Sequence, residues 1–212
     1  MGGRLIVFEG VEGGGKTTQL QRTWEWLQGG ARNVVVTREP GGTELGLCLR
    51  KLLLTESEGK PIQDGAELLL YAADRAQHVE EVLNPGLAQG AIILCDRYTD
   101  STIAYQGFGR GLNQKQLSLL NSIATGGLES DLTLWLDVDV EVGLARTRGR
   151  GASDRIEQET IAFHRKVQQG YTELALAHPN RIVRVDASLS EAVVQEQIQA
   201  ILSERLIKWY NE

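Results

Sequence analysis

Cysteine and long apolar runs are scarce in this sequence, which argues against a disulfide-rich, zinc-binding, secreted or membrane-spanning protein. Only two of the 212 residues are cysteine, Cys48 and Cys95. They are far apart in the chain and form no Cys-x-x-Cys pair, so we expect buried thiols in a reducing compartment rather than disulfides or a zinc site. The first ten residues, MGGRLIVFEG, hold too few apolar side chains for a signal peptide or a membrane span. The sequence predicts a cytoplasmic protein without a membrane partner.

An excess of positive charge is also missing. Lysine and arginine number 22 against 28 acidic residues, which gives a net charge of −6. A surface that binds nucleic acid needs a broad basic face, so we expect no nucleic-acid partner, and any bound phosphate must be held by local cations. The length suits one domain, and the chain contains no repeat, low-complexity tract or interdomain linker. We therefore expect residues 1–212 to form a single domain.

Short apolar runs alternate with segments of helical character. The runs are RLIVFE from Arg4, NVVVTRE from Asn33, AIILCDRY from Ala91, DLTLWLDV from Asp131 and a weaker one, RIVRVDA from Arg181. The first four are continuously apolar, which is typical of inner strands in a parallel sheet. Helices are predicted at 17–28, at 64–83 before Asn84-Pro85, and at 190–210. This alternation predicts a doubly wound α/β fold that binds ligands at the carboxyl ends of its strands.

The stretch FEGVEGGGKTTQL carries the strongest motif. Gly10, Gly15, Lys16 and Thr17 satisfy G-x-x-x-x-G-K-[ST] between a strand and a helix. Such a loop points backbone N–H groups at the phosphates of ATP, while the lysine reaches the β and γ phosphates and the threonine hydroxyl binds Mg²⁺. The alternative is a glycine-rich turn without a ligand. The candidate ATP-binding residues are Gly10, Val11, Glu12, Gly13, Gly14, Gly15, Lys16, Thr17 and Thr18.

Two arginines follow later strands. Arg38 ends the second strand, and Asp96-Arg97 ends the third. A guanidinium at the carboxyl end of a strand can bind phosphate bidentately, although Arg38 could also be a surface residue beside Glu39. The sequence lacks the N-K-x-D base reader of GTPases. These features favour a small phosphotransferase with a second phosphate site.

Several motifs in order make the chain resemble bacterial thymidylate kinases over essentially its whole length. They are FEGVEGGGKTT, TREPGGT, YAADRAQH, DRYTDSTIAYQGFGRG, DLTLWLDV and RGRGASDRIE. The resemblance implies a P-loop NTPase-type three-layer α/β/α fold with a five-stranded parallel sheet, similar to nucleoside monophosphate kinases, and a mobile lid at about 146–156. It also implies transfer of the γ-phosphoryl group of Mg-ATP to dTMP for dTTP synthesis, by a homodimer.

The resemblance further implies roles for individual residues. Glu12 would bind the 3′-hydroxyl of the deoxyribose, Tyr71 would stack on the base, and Arg75 would donate to O4. Each residue also has a plain packing alternative. The remaining acceptor residues are Arg38 and Arg97 at the phosphate, Thr102 or Ser101 at the pyrimidine edge, Tyr105 against C2′ of the sugar, and Gln106 at the sugar or base.

The cation for catalysis is expected from the lid. Arg146, Arg148 and Arg150 occur at every second position, so they can share a target only if the segment leaves a helical path. Gly13, rather than a basic residue, follows Glu12, which is similar to family members whose lid supplies the arginines. The candidate catalytic residues are Lys16, Arg97, Arg148 and Arg150, with a solvated basic surface as the alternative for the lid pair.

Three questions stay open from the sequence. Glu9 could order a water of the Mg²⁺ ion or simply belong to its strand, and either Asp96 or Asp137 could hold such a water, with the resemblance favouring Asp96. No general base is expected, because the acceptor oxygen is already anionic at neutral pH. The other functions considered are a kinase of dUMP or of a deoxynucleoside, and a nucleotide-dependent switch with little turnover.

Overall fold

Strand β1 carries two alternating rows of apolar side chains, and each row is buried on its own face of the sheet. Leu5 and Val7 pack in one core, while Ile6 and Phe8 pack in a second. The computed structural model describes residues 2–29, 33–55, 60–147 and 154–211. Because helices cover both rows of β1, the sheet forms the middle layer of a three-layer α/β/α arrangement.

Five parallel strands form this sheet in the order β2-β3-β1-β4-β5. Their bounds are β1 Arg4–Glu9, β2 Val34–Arg38, β3 Ile92–Asp96, β4 Leu132–Asp137 and β5 Ile182–Asp186. All five predicted strands are thus confirmed. The prediction that the second strand lies inside the sheet was wrong, since β2 is an edge strand and Val36 is 44% exposed. Its run is apolar because Val34 and Val35 still pack against opposite cores.

Helices connect the strands and pack on both sides of the sheet. The described ones are α1 Lys16–Gln28, α2 Glu44–Leu54, α3 Asp64–His78, α4 Asn84–Ala88, α5 Thr99–Thr102, α6 Gln114–Thr125, α7 Val140–Thr147, α8 Ile161–Ala177 and α9 Glu191–Asn211. Two segments, Val79–Leu83 and Ile103–Gly109, are π-helical. The first and last predicted helices match α1 and α9 closely. Within the described ranges no helix is long and apolar enough to cross a membrane.

Two local predictions were wrong. The helix predicted to stop before Asn84-Pro85 continues instead through the π-helical turn into α4. Proline is compatible with the first turn of a helix, where its missing N–H group has no partner to lose. Cys95 is buried as expected, but Cys48 is exposed on α2. The general preference of cysteine for the interior cannot tell which face of a helix a given residue occupies.

The strand order places one crevice at the carboxyl end of the sheet. β1 pairs with β3 on one side and with β4 on the other, so the connections leave it in opposite directions along the sheet. Loops that follow neighbouring strands then separate and leave room for a ligand. The segments after β1, β2 and β3 all open onto this crevice.

Candidate active site

The loop between β1 and α1 wraps around the side chain of Lys16. Gly10, Gly13 and Gly15 have positive φ angles of 139°, 71° and 86°, which glycine adopts without strain. The buried ammonium group of Lys16 donates to the carbonyl oxygens of Gly10 and Val11, both at 3.0 Å. Burial and Arg97 lower the pKa of Lys16, and nearby carboxylates oppose that shift. The lysine is therefore placed at the centre of a loop shaped for phosphate.

Position 13 has no room for a side chain. A Cβ atom added to Gly13 would lie 1.9 Å from the carbonyl oxygen of Gly143 on α7, and the positive φ adds strain for any other residue. A basic residue at this position would require α7 to move. The loop accordingly supplies Lys16 as its only cation.

Glu12 contacts Arg97 and Tyr105, two of the residues predicted to bind the acceptor nucleotide. Its Oε1 atom accepts hydrogen bonds from Arg97 Nη2 at 2.5 Å and from the hydroxyl of Tyr105 at 2.9 Å. Burial acts to raise the pKa of Glu12, but Arg97 and Lys16 outweigh it and lower the pKa to about 2. The carboxylate is thus ionised at neutral pH and bonded to Arg97 and Tyr105.

The turn after β3 is held by the end of β1. Arg97 has a φ of 71°, and its backbone N–H donates to Phe8 O at 3.0 Å. The fully buried carboxylate of Glu9 accepts from the backbone N–H of Tyr98 at 2.9 Å, from the Ser101 hydroxyl at 2.6 Å and from the Tyr171 hydroxyl at 2.7 Å. Glu9 therefore anchors this turn through hydrogen bonds within the protein.

A hydroxyl and a carboxylate meet where the phosphate loop faces the end of β3. Thr17 Oγ1 lies 3.3 Å from Asp96 Oδ2, and Asp96 Oδ1 is buried without a hydrogen-bond partner among the described residues. Oxygen ligands of this kind suit Mg²⁺ and its bound waters. Asp137, by contrast, accepts hydrogen bonds from Gln168 at 2.9 Å and Arg184 at 2.7 Å. The residues present fit a magnesium ion beside Asp96 rather than Asp137.

Arg75 is buried on α3, one helical turn after Tyr71. Its Nη1 atom donates to Thr102 Oγ1 at 2.8 Å and to Asn121 Oδ1 at 2.6 Å, and its Nη2 atom donates to Tyr98 O at 2.9 Å. The spacing of four residues places Tyr71 and Arg75 on one face of the helix, as predicted, and both line the crevice. Thr102 is therefore held by the arginine, whereas the neighbouring Ser101 is bound to Glu9.

Nearly all the predicted residues that the structure describes line one pocket of about 240 Å³. Gly10 and Val11 belong to the same loop but do not line the pocket, and Arg148 and Arg150 lie outside the described residues. Gln106 lines it while donating to Glu67 Oε1 at 2.9 Å. The predicted residues along the wall are Glu12, Gly13, Gly14, Gly15, Lys16, Thr17, Thr18, Arg38, Tyr71, Arg75, Arg97, Ser101, Thr102, Tyr105 and Gln106.

Several residues that line the pocket were not predicted from the sequence. Glu39 and Arg50 line the pocket, and Arg50 Nη1 donates to Pro40 O at 2.9 Å. Thr147 and Asp154, on either side of the undescribed segment, line it as well. Glu39 stood inside the motif TREPGGT and could have been singled out there, while no signal distinguished Arg50 from an ordinary exposed arginine of a helix.

Comparison with known proteins gives a consistent result. A family model described as Thymidylate kinase matches residues 8–198. The thymidylate kinase of Nostoc punctiforme is 70% identical over 203 residues, which cover 95% of this chain and 96% of that protein. The thymidylate kinase of Nostoc sp. is 66% identical over 210 residues, covering 99% and 100% respectively. The crystal structure of thymidylate kinase from Ehrlichia chaffeensis gives a TM-score of 0.78 at 32% identity, covering 95% of this chain and 100% of that chain.

These matches extend from the phosphate loop to the last helix, and they confirm the resemblance that the ordered motifs indicated. A family model over residues 8–198, together with relatives of this identity and coverage, shows that the chain belongs to the thymidylate kinase family.

Proposed function

We propose that the protein transfers the γ-phosphoryl group of ATP to dTMP and releases dTDP, a precursor of dTTP. One observation carries the proposal: residues of the phosphate-loop motif and the residues predicted to bind the acceptor line the same pocket. A nucleotide-dependent switch needs only the first of these. A diffusible nucleotide substrate suits the cytoplasmic location expected from the sequence, and we take the whole chain to act as one kinase domain with a lid.

The acceptor groups suit a deoxypyrimidine monophosphate. Arg38 and Arg97 at the ends of β2 and β3 are placed for the phosphate, and Glu12 is an ionised acceptor suited to the 3′-hydroxyl. Tyr105 is held by its hydroxyl bond to Glu12, so its ring forms a firm wall on the sugar side. An extra 2′-hydroxyl group would be crowded by such a wall.

Counting donors supports recognition of a carbonyl group by Arg75. A guanidinium has five N–H donors, and four bonds of Arg75 go to Glu39, Thr102, Asn121 and Tyr98. Among the described residues, one N–H of Nη2 has no partner and would be available to a ligand. It can pair with the O4 atom of thymine, whereas the amino group of cytosine would leave it facing another donor.

The donor side supplies positive charge rather than proton transfer. Lys16 and the backbone N–H groups of the loop would bind the phosphates of ATP. Thr17 and Asp96 would hold Mg²⁺ directly or through water, and the ion would neutralise charge that develops on the transferred group. The acceptor oxygen of dTMP is already anionic, so no side chain is assigned as a general base. Catalysis then consists of alignment plus stabilisation by cations.

We include a homodimer in the proposal because large apolar side chains are exposed on three adjoining helices. α3 packs against both α2 and α6. Exposed side chains on these helices are Leu45, Leu47, Leu52, Leu69, Leu119 and Ile123. A second copy of the chain would remove them from water. Light scattering that finds a species of 23.3 kDa would contradict the dimer.

A substrate panel tests the function directly. Release of ADP is measured with Mg-ATP and each of dTMP, dUMP, the ribonucleotide of thymine, dCMP, dGMP and thymidine. We expect strong turnover with dTMP, weaker turnover with dUMP and little with the others. Turnover with thymidine alone would reassign the protein as a deoxynucleoside kinase. No turnover with any acceptor would favour the switch.

Arg38→Ala tests the acceptor phosphate site. Arg38 is exposed at the end of β2, so its loss should not disturb the buried contacts that Arg97 makes with Glu12 and Gly10. We expect KM for dTMP to rise about tenfold or more, which is typical of losing a charge-assisted bond to phosphate, with KM for ATP changed less than about twofold. The matched control is Arg205→Ala, whose side chain bonds Asn180 O on the surface. Equal increases in both KM values would contradict the assignment.

The lid arginines are tested by their effect on kcat. Arg148 and Arg150 fall in sequence between Thr147 and Asp154, which both line the pocket, and Gly13 leaves no place for a second cation next to Glu12. We expect Arg148→Ala or Arg150→Ala to lower kcat roughly 10²-fold, as for loss of one group that stabilises the transition state. Binding of dTMP should change little. Arg165→Ala, which removes an exposed partner of Glu141, is the control. Normal kcat in both variants would refute the role of the lid.

A further inference from the structure

Arg75 owes its orientation to a carboxylate behind it. Glu39, the first residue after β2, accepts a hydrogen bond from Arg75 Nε at 2.8 Å, and both side chains are 3% exposed. Within the described residues, Glu39 is the only acidic partner of this guanidinium. We propose that Glu39 is a positioning residue that fixes the orientation of Arg75 toward the base. It thereby sets the preference for thymine over cytosine, an inference that rests on the proposed function.

Glu39 is itself fixed from its other side. Its Oε1 atom lies 2.8 Å from Nδ1 of His78, and Nε2 of His78 lies 2.7 Å from the hydroxyl of Thr37. The arrangement is satisfied when Nδ1–H donates to Glu39 and Nε2 accepts from the Thr37 hydroxyl. A continuous chain of hydrogen bonds thus runs from β2 through His78 and Glu39 to Arg75.

Neighbouring contacts fix the backbone that carries Glu39. The N–H of Glu39 donates to Asp96 O at 2.9 Å, and the N–H of Gly41 donates to Asp74 Oδ1 at 2.9 Å. These bonds tie the segment after β2 to β3 on one side and to α3 on the other. Neither the carboxylate of Glu39 nor the guanidinium of Arg75 can therefore rotate freely.

This rigidity matters because only one N–H of Arg75 is left for the base. If the guanidinium turned, Nη1 and Nη2 would exchange partners, and the free N–H would no longer point to one fixed place. Discrimination between a carbonyl group and an amino group at position 4 of a pyrimidine depends on that place. Glu39 would act on the choice of base without touching it.

Glu39→Gln separates charge from shape. The carboxamide oxygen can still accept from Arg75 Nε. Its NH2 group can donate to Nδ1 of His78 when the ring proton moves to Nε2, which then donates to the Thr37 hydroxyl. The buried guanidinium, however, loses its counter-charge. We expect KM for dTMP to rise about tenfold or more, with KM for ATP and kcat within about twofold. The preference for dTMP over dCMP, as a ratio of kcat/KM values, should fall by a similar factor. The control is Glu44→Gln, which removes the same charge from an exposed residue five positions later.

The outcomes distinguish the two levels of inference. If the wild-type enzyme phosphorylates dTMP and Glu39→Gln keeps both its KM and its preference over dCMP, the positioning role is wrong while the function stands. If the wild-type enzyme does not act on dTMP, the function fails and the inference falls with it. A loss of stability alone would lower activity with dTMP and dCMP equally, so an unchanged ratio with less folded protein also overturns the positioning role.

A measurement on the wild-type protein covers the case in which Glu39→Gln does not fold. The Nε–H signal of Arg75 can be recorded by nuclear magnetic resonance and assigned by its disappearance in Arg75→Lys. We expect this proton to exchange with water far more slowly than that of the partly exposed Arg205, because its bond to Glu39 is buried. Equally fast exchange for the two arginines would overturn the proposal.

Discussion

The site depends on the way the acidic end of β1 holds the turn that follows β3. Glu9 receives hydrogen bonds from Tyr98, Ser101 and Tyr171, and Glu12 receives one from Arg97. The turn needs this support, because Arg97 has a positive φ angle that a non-glycine residue adopts only at a cost. Two carboxylates beside a phosphate loop would otherwise repel its ligand. Here both carboxylates pair with the guanidinium of Arg97.

In the proposed function, two buried arginines with fixed partners contact the acceptor nucleotide in a protein of net charge −6. Burial of a charge is costly unless other groups replace the lost water, and a carboxylate does so for each of these side chains. Arg75 pairs with Glu39, and Arg97 pairs with Glu12. Such pairs hold the donors in place before a substrate arrives, so little reorganisation accompanies binding.

The sequence was a good guide wherever function depends on position along the chain. The phosphate loop, the arginines at the ends of β2 and β3, and the pair Tyr71 and Arg75 could all be placed from strand order and helical spacing. Other features depend on residues far apart in sequence. Glu9 meets Tyr171 across 162 positions, and Glu39 meets His78 across 39. No periodic pattern encodes such contacts, which arise only when helices pack onto the sheet.

Two other predictions failed because they concerned the edge of the sheet and the surface of a helix, which residue type alone does not determine. Apolar composition reports whether a side chain meets other side chains, but not whether the backbone has a neighbour on both sides. The apolar run of β2 therefore looked like an inner strand, although it lies at the edge of the sheet. The same limit applies to Cys48, which has a residue type common in cores and a position on the outer side of α2.

The contact between Gly13 and α7 limits where a catalytic cation could be located. The carbonyl oxygen of Gly143 occupies the space that a side chain at position 13 would need, so the packing of α7 excludes a basic residue from that position. Arg97 is bonded to Gly10, Glu12 and Ser101, and Arg75 is bonded to Glu39, so both guanidinium groups are held in place. In the proposed function, a cation that moves during transfer would come from outside this fixed set. The arginine-rich sequence at 148–150 follows Thr147, which lines the pocket. The close approach of two backbones at Gly13 is thus a structural reason for proposing that the arginines after Thr147 take part in catalysis.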